Sequence, residues 1–157
     1  MEMCTFCQVV HGDLPSSLVF ETDLVVALLD IHPITAGHTL VMPRRHVCAY
    51  TDLSHNELQH MALVGQGFAS ALKAGIPHCD GVSLSLADGL AAGQEVPHTH
   101  LHVIPRHAGD GFGWRFPEGY GRVADRAALD AMATTIRAAM NTILGDGERP
   151  PRHTPPN

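Results

Sequence analysis

Runs of apolar residues broken by turn-forming pairs lay out most of this chain. Leu18–Glu21 and Leu24–Asp30 are short stretches rich in Val, Leu and Phe, split by Thr22-Asp23, and they predict two antiparallel strands joined by a tight turn. His38–Met42 reads as a third strand, closed by Pro43. Ser54-His55-Asn56-Glu57 has the S-x-x-E form, in which a hydroxyl and a carboxylate satisfy the free amides of a helix start. Leu58, Met61, Phe68 and Leu72 follow at helical spacing until Gly75 and Pro77 stop the helix. Gly81–Ala87 and Thr99–Pro105 are expected to be two more strands, linked by the small-residue loop Asp88–Glu95. Asp125 can cap a second helix, whose Leu129, Met132, Ile136, Met140 and Ile143 form one apolar stripe, read as core, before Gly145. From Asp146 onward four prolines and no apolar period describe a flexible tail, so a single domain over residues 1–145 and a tail over 146–157 are expected.

Composition narrows the function classes. The 157 residues are 45% hydrophobic and 17% charged, the balance of one globular domain. Sixteen acidic against ten basic residues give a formal charge of -6, with no basic stripe to neutralise a phosphate backbone, so no nucleic-acid partner is expected. The longest apolar run, Leu24 to Leu29, cannot cross a bilayer, and the first residues lack the features of a secretory signal. We therefore expect no membrane association and a cytoplasmic protein, in which Cys4, Cys7, Cys48 and Cys79 stay reduced. The anomaly is histidine: twelve, more than Lys and Arg together.

Three of the twelve alternate in His98-Thr99-His100-Leu101-His102-Val103-Ile104-Pro105. On a strand, alternate side chains share a face, with Cα atoms about 6.8 Å apart, so neighbouring rings could share one phosphate group. The plainer alternative is a His-rich polar face on an edge strand. A neutral imidazole is a good nucleophile toward phosphorus when its other nitrogen keeps its proton on an acceptor. His100, in the middle, is the expected nucleophile, with His102 and amides of the preceding Gly/Ala-rich loop stabilising charge on the phosphate oxygens.

This row resembles the signature of the histidine triad (HIT) proteins, H-φ-H-φ-H-φ-φ with φ apolar. The likeness continues in Asp30-Ile31-His32-Pro33, in Ala36 to Pro43, in Ala92-Gly93-Gln94, in Pro105-Arg106-His107 and in Gly109 to Gly113. The resemblance implies an α+β, HIT-like fold with a five-stranded antiparallel sheet and two main helices, a homodimer, and hydrolysis or transfer of nucleoside monophosphate groups. It implies His100 as nucleophile with His98 and His102 beside it, Asp30 at the ribose of a purine nucleotide, Gln94 beside the phosphate and His38 beneath the active strand, buttressing His100. Arg106, just past the triad, could reach a phosphate. Three positions depart from the family pattern: Ala87 and Glu95 stand where phosphate-side hydrogen-bond donors are usual, and Thr99 replaces an apolar residue. Ala87 and Glu95 keep open a second reading, a nucleotide-binding regulatory or scaffold protein with little catalysis.

Cys4 and Cys7 have C-x-x-C spacing. Taken alone, it fits two inert thiols, a redox couple or half of a metal site. In zinc-bearing relatives of the family the site resembles two N-terminal Cys plus two His, and the resemblance selects Cys4, Cys7, His46 and His98 as ligands of a structural zinc. Bound metal would commit His98 and leave His100 and His102 as the working pair. Cys48 and Cys79 are expected to be small core residues, and Trp114 and Phe116 to cover apolar surface or a dimer seam.

Overall fold

The computed structural model describes residues 4–144, so the expected tail and its boundary at residue 145 lie outside the described residues. Two compact units part between Gly113 and Trp114. The first holds α1 (Thr5–His11), β1 (Leu18–Glu21), β2 (Val25–Leu29), β3 (Thr39–Pro43), α2 (His55–Gly75), β4 (Gly81–Leu86) and β5 (Leu101–Arg106). The second holds α3 (Arg126–Leu144). The strands form one antiparallel sheet in the order β1-β2-β3-β5-β4, the five-stranded α+β architecture expected from the sequence, with α1 as an additional third helix. Among the described residues no helix is long and apolar enough to cross a membrane.

Strand alternation divides the core into two faces. Val25, Ala27, Val41 and Val103 point to one face, where Met61 and Leu72 of α2 cover them. At Gly65 the helix lies so close to β5 that an added Cβ would fall 2.7 Å from Leu101 Cδ2, so a larger residue there would displace the Leu101 side chain. On the other face Val26, Leu28, Leu40 and Met42 are covered by Phe6, Val9 and Val10 of the small helix α1. The chemistry lies on this thinly covered face, because Leu40 pairs in register with His102 and so shares its side of the sheet.

α2 begins as the sequence predicts. The Ser54 hydroxyl accepts the Glu57 amide N–H, and the Glu57 carboxylate accepts the Ser54 N–H at 2.8 Å. Glu57 also takes a two-pronged contact from Arg45, Nε to Oε1 at 2.9 Å and Nη2 to Oε2 at 2.8 Å, fixing the β3–α2 connection to the helix. The Asp125 carboxylate likewise accepts the Ala128 N–H at the start of α3. The α3 stripe, however, is not core: Leu129, Met132, Ile136, Met140 and Ile143 are all exposed. One helix within its own unit has no second layer against which to bury a face.

Arg45 donation, with the Ser54 bonds, holds Glu57 down at about 2 against an ordinary 4.5. A depressed folded value means that this stabilisation is complete above pH about 4.5 and is lost as pH falls toward 2. Glu57→Gln should lower stability by about 1–2 kcal/mol at pH 7, roughly 3–6 °C in Tm, and the gap from wild type should narrow at pH 3. Thermal unfolding of both proteins at the two pH values checks this, and an unchanged gap contradicts it.

Candidate active site and metal-ligand cluster

The histidine row is not strand throughout: β5 starts at Leu101, His98 closes a bend in which its N–H donates to the Val96 carbonyl at 2.8 Å, and His100 lies on the segment leading into the strand. That segment is held by the Thr99 N–H donating to the Val47 carbonyl at 2.6 Å and the Thr99 hydroxyl donating to the Cys48 carbonyl at 3.2 Å. The polar departure at position 99 thus anchors the triad from behind, buried and hydrogen-bonded.

The hydrogen-bond network assigns the protons on the rings. His100 Nδ1 stands 2.6 Å from the His98 carbonyl oxygen, an acceptor only, so Nδ1 carries the proton and Nε2 keeps its lone pair. His38 Nδ1 accepts the Ile34 N–H at 3.3 Å, which puts the His38 proton on Nε2, 2.9 Å from His102 Nδ1. His102 then carries its proton on Nε2. His100 and His102 face each other with ring centroids 4.7 Å apart. Burial pushes His102 down to about 4, helped by the neighbouring His100 and His38 and opposed by Asp30. Burial also lowers His38, against a raising influence from the Asp30 carboxylate. Both rings are therefore neutral at pH 7.

The other expected site residues are placed as follows. His38 contacts His102, not His100 as expected, because the β3–β5 register sets Leu40 opposite His102 and makes His38 its diagonal neighbour on the same face. Asp30 lies behind His38, with Oδ2 3.4 Å from His38 Nδ1 and Oδ1 accepting the His32 N–H at 2.8 Å. Gln94 is buried and uses both ends of its amide within the chain: Oε1 accepts the Gly89 N–H at 2.8 Å and Nε2 donates to the Cys48 carbonyl at 2.7 Å. It braces the 88–95 loop against the segment after β3. Glu95 is exposed. Arg106 is committed to its own loop: Nε and Nη2 grip the Asp110 carboxylate at 2.6 and 2.8 Å, Nη1 donates to Ser83 Oγ, and Nη2 also reaches the Phe112 carbonyl. That grip holds the Asp110 carboxyl far below the usual carboxylate range. The phosphate contact expected of Arg106 has no support in this geometry.

Beside the triad, Cys4, Cys7, His46 and His98 each bring a ligand atom to within 4.8 Å of all the others. Cys7 Sγ lies 3.2 Å from His46 Nδ1 and 3.7 Å from His98 Nδ1, and Cys4 Sγ lies 3.7 Å from His98 Nδ1. Tetrahedral zinc with bonds of about 2.3 Å to sulfur and 2.0–2.1 Å to nitrogen puts S and N ligands about 3.6 Å apart, so donor set and spacing both suit that ion. His98 is fully buried, and its Nε2 donates to the Pro43 carbonyl at 2.9 Å, which turns the Nδ1 lone pair toward the thiols. Burial pushes the Cys7 thiol up, as does the adjacent Cys4, the kind of penalty that a cation removes.

The family model of the HIT domain matches residues 11–109. The chain belongs to the HIT family. An uncharacterised HIT-like protein of Borreliella burgdorferi is 42% identical over 113 residues, covering 71% of this chain and 81% of that one. A zinc-bound histidine triad protein from Mycobacterium smegmatis matches in structure with a TM-score of 0.67 at 37% identity, over 89% of this chain and 96% of that one. A histidine triad nucleotide-binding protein from Candida albicans matches with a TM-score of 0.79 at 26% identity, over 90% and 99%. Two features of this HIT protein escape the sequence reading. Cys48 is exposed, not core, and its Sγ lies 3.2 Å from His46 Nε2. Phe6 stands edge-on to both His98 and His100, with centroids 6.0 and 5.1 Å away. The i, i+3, i+4 spacing of Phe6, Val9 and Val10 was the available signal for the helix that carries it.

If Arg106 is a loop clasp, Arg106→Gln should raise the rate of proteolytic cleavage within residues 107–112 about tenfold, as the local opening equilibrium shifts. Affinity for AMP, measured by calorimetry, should change less than about twofold, whereas a tenfold loss would restore the phosphate role.

Proposed function

We propose that this HIT protein is a nucleotide hydrolase or transferase. It would take a nucleoside monophosphate group, with a purine base, from phosphoramidates, dinucleoside polyphosphates or adenylated metabolites, through a phosphohistidine at His100. The observation that carries the reading is the 2.6 Å bond from His100 Nδ1 to the His98 carbonyl, which holds a ring proton on Nδ1 and leaves Nε2 as the nitrogen to attack phosphorus. Attack forms the Nε2–P bond and breaks the bond from phosphorus to the leaving group, which takes a proton from solvent. Water then attacks the phosphorus, releases its proton to solvent and returns the electron pair to Nε2. His102, neutral and holding its proton on Nε2, donates to a non-bridging oxygen as charge develops there. Asp30, at the start of the turn before β3, would meet the ribose. Gln94 would act by holding the 88–95 loop, whose amides would face the phosphate.

Cys4, Cys7, His46 and His98 would hold a structural zinc. Bound zinc supplies a cross-link between the N-terminus and the sheet, on the order of 10 kcal/mol in apparent affinity for small zinc modules. The free thiols of this set suit a reducing cytoplasm. We extend the reading to a homodimer, in which the exposed edge strand β4, with Leu84 on its surface, would be covered.

Incubation with a fluorogenic adenosine phosphoramidate and a diadenosine polyphosphate should give turnover in wild type and at least about a thousandfold less in His100→Ala. Intact-mass analysis should catch a nucleotidyl adduct that His100→Ala lacks. Nucleotide binding with no adduct and no turnover would instead support the scaffold reading kept open by Ala87 and Glu95. Native mass spectrometry of protein purified without chelator should find one zinc per chain in a particle of two chains, and Cys7→Ser should lose the metal. Zinc-free wild type, or a single chain of 16.8 kDa, would refute the respective part.

A further inference from the structure

The helix that, with its N-cap residue Cys4, carries two of the four ligand atoms has little else to hold it. α1 is seven residues long, has no side-chain N-cap and no acidic residue in its first turn, and buries none of its residues fully. Alone it would not be a stable helix. It is attached by Phe6, Val9 and Val10 against the sheet and by Cys4 and Cys7 in the ligand cluster. Phe6 lies between the two thiols in sequence, and its ring meets the His100 ring edge-on at 77°. His102 meets the same central ring at 63°, with centroids 4.7 Å apart. The His98 carbonyl fixes where Nδ1 of His100 points but leaves the ring free to tilt about that bond, and the two flanking rings remove that freedom.

We propose that Phe6 is a positioning residue for His100 and that the ion held by Cys4, Cys7, His46 and His98 keeps it in place, so that metal occupancy governs the aim of the nucleophile. A second connection runs in parallel: His98 offers its imidazole to the ligand cluster and its carbonyl to His100, so restraining its side chain restrains the acceptor as well. The metal site is then wired to the active site through the face of α1 and through one backbone carbonyl. Aiming a nucleophile within a fraction of an ångström is worth one to two orders of magnitude in rate, on the order of a hundredfold per ångström of misplacement.

The inference rests on the phosphohistidine reading for its kinetic part only, and the test separates the two. Ring proton and nitrogen resonances of His100, identified by comparison with His100→Ala, are followed by NMR in zinc-loaded protein and after removal of zinc with a chelator. Phe6→Ala and Phe6→Leu, both zinc-loaded, are measured alongside. Loss of the edge-on ring should shift the His100 resonances, and chelation of wild type should shift them the same way. Chelation of Phe6→Ala should add less than half of the wild-type effect, since the two changes share the Phe6 contact and only the connection through the His98 carbonyl remains for chelation to disturb. In turnover of the adenosine phosphoramidate, Phe6→Ala should lower kcat about tenfold with KM within twofold and zinc content unchanged, and Phe6→Tyr, which keeps the ring, should recover most of that loss. His100 resonances that ignore both substitution and chelation would overturn the proposal, as would a raised KM with unchanged kcat, which would make Phe6 a wall of the substrate pocket. If the His100 resonances respond as expected in a protein that turns over no nucleotide, the coupling stands and the catalytic reading falls.

Discussion

One residue, His98, is tied at three points. Its Nε2 donates to the Pro43 carbonyl, its Nδ1 faces two thiols, and its carbonyl accepts the Nδ1–H of His100 at 2.6 Å. Each tie constrains the others. The bond to Pro43, the last residue of β3, fixes the tautomer and so aims the lone pair at Cys4 and Cys7; the buried ring then fixes the peptide whose oxygen sets the tautomer of His100. A side chain with no accessible surface and a lowered affinity for protons cannot serve as a nucleophile or acid itself. The first member of the triad is therefore linked to the second through its carbonyl, and in the proposed reaction the working pair is His100 with His102.

That arrangement depends on the unequal cover of the two sheet faces. α2, 21 residues long and packed as close as Gly65 allows, makes one face solid and holds β5 against β3. Among the described residues of that unit the opposite face is covered by a seven-residue helix, and His38 and His102 there are buried enough to remain neutral. Neutrality matters because a protonated ring has no lone pair for phosphorus, and desolvation is the first cause of the lowered values at His38, His98 and His102 alike. The fold thus tunes the histidines mainly by low dielectric, and an acidic neighbour, Asp30, only partly offsets it.

Much of this was legible along the chain because it is local. The capping box at Ser54 and Glu57, the end of α2 at Gly75 and the five strands follow from patterns a few residues wide, and the structure reproduces them within a residue or two at most ends. What was not legible depends on register or on distant partners. That His38 meets His102 is decided by Leu40 standing opposite His102, a pairing no local pattern specifies. That Arg106 folds back on Asp110 is decided by a loop closing over four residues. The α3 stripe has the period of a core helix, but periodicity says that a face is apolar and not that anything covers it. The C-x-x-C reads first as chemistry, and that reading conceals the helix on which it sits.

The departures from the family pattern can be separated by what surrounds them. Thr99 costs little, since its hydroxyl reaches the Cys48 carbonyl, the same oxygen that accepts from Gln94. That carbonyl thereby joins the segment after β3, the 88–95 loop and the triad segment at one atom, and an apolar residue at 99 would remove one of the three strands of that knot. Ala87 and Glu95 have no such compensation, because Ala87 offers no donor and Glu95 is exposed and acidic on the loop that the proposed reaction sets beside the phosphate. If the chain is an enzyme, those two positions bear on the leaving group and on rate. The nucleophile does not depend on them, since its tautomer is set from the other side, by the carbonyl of His98.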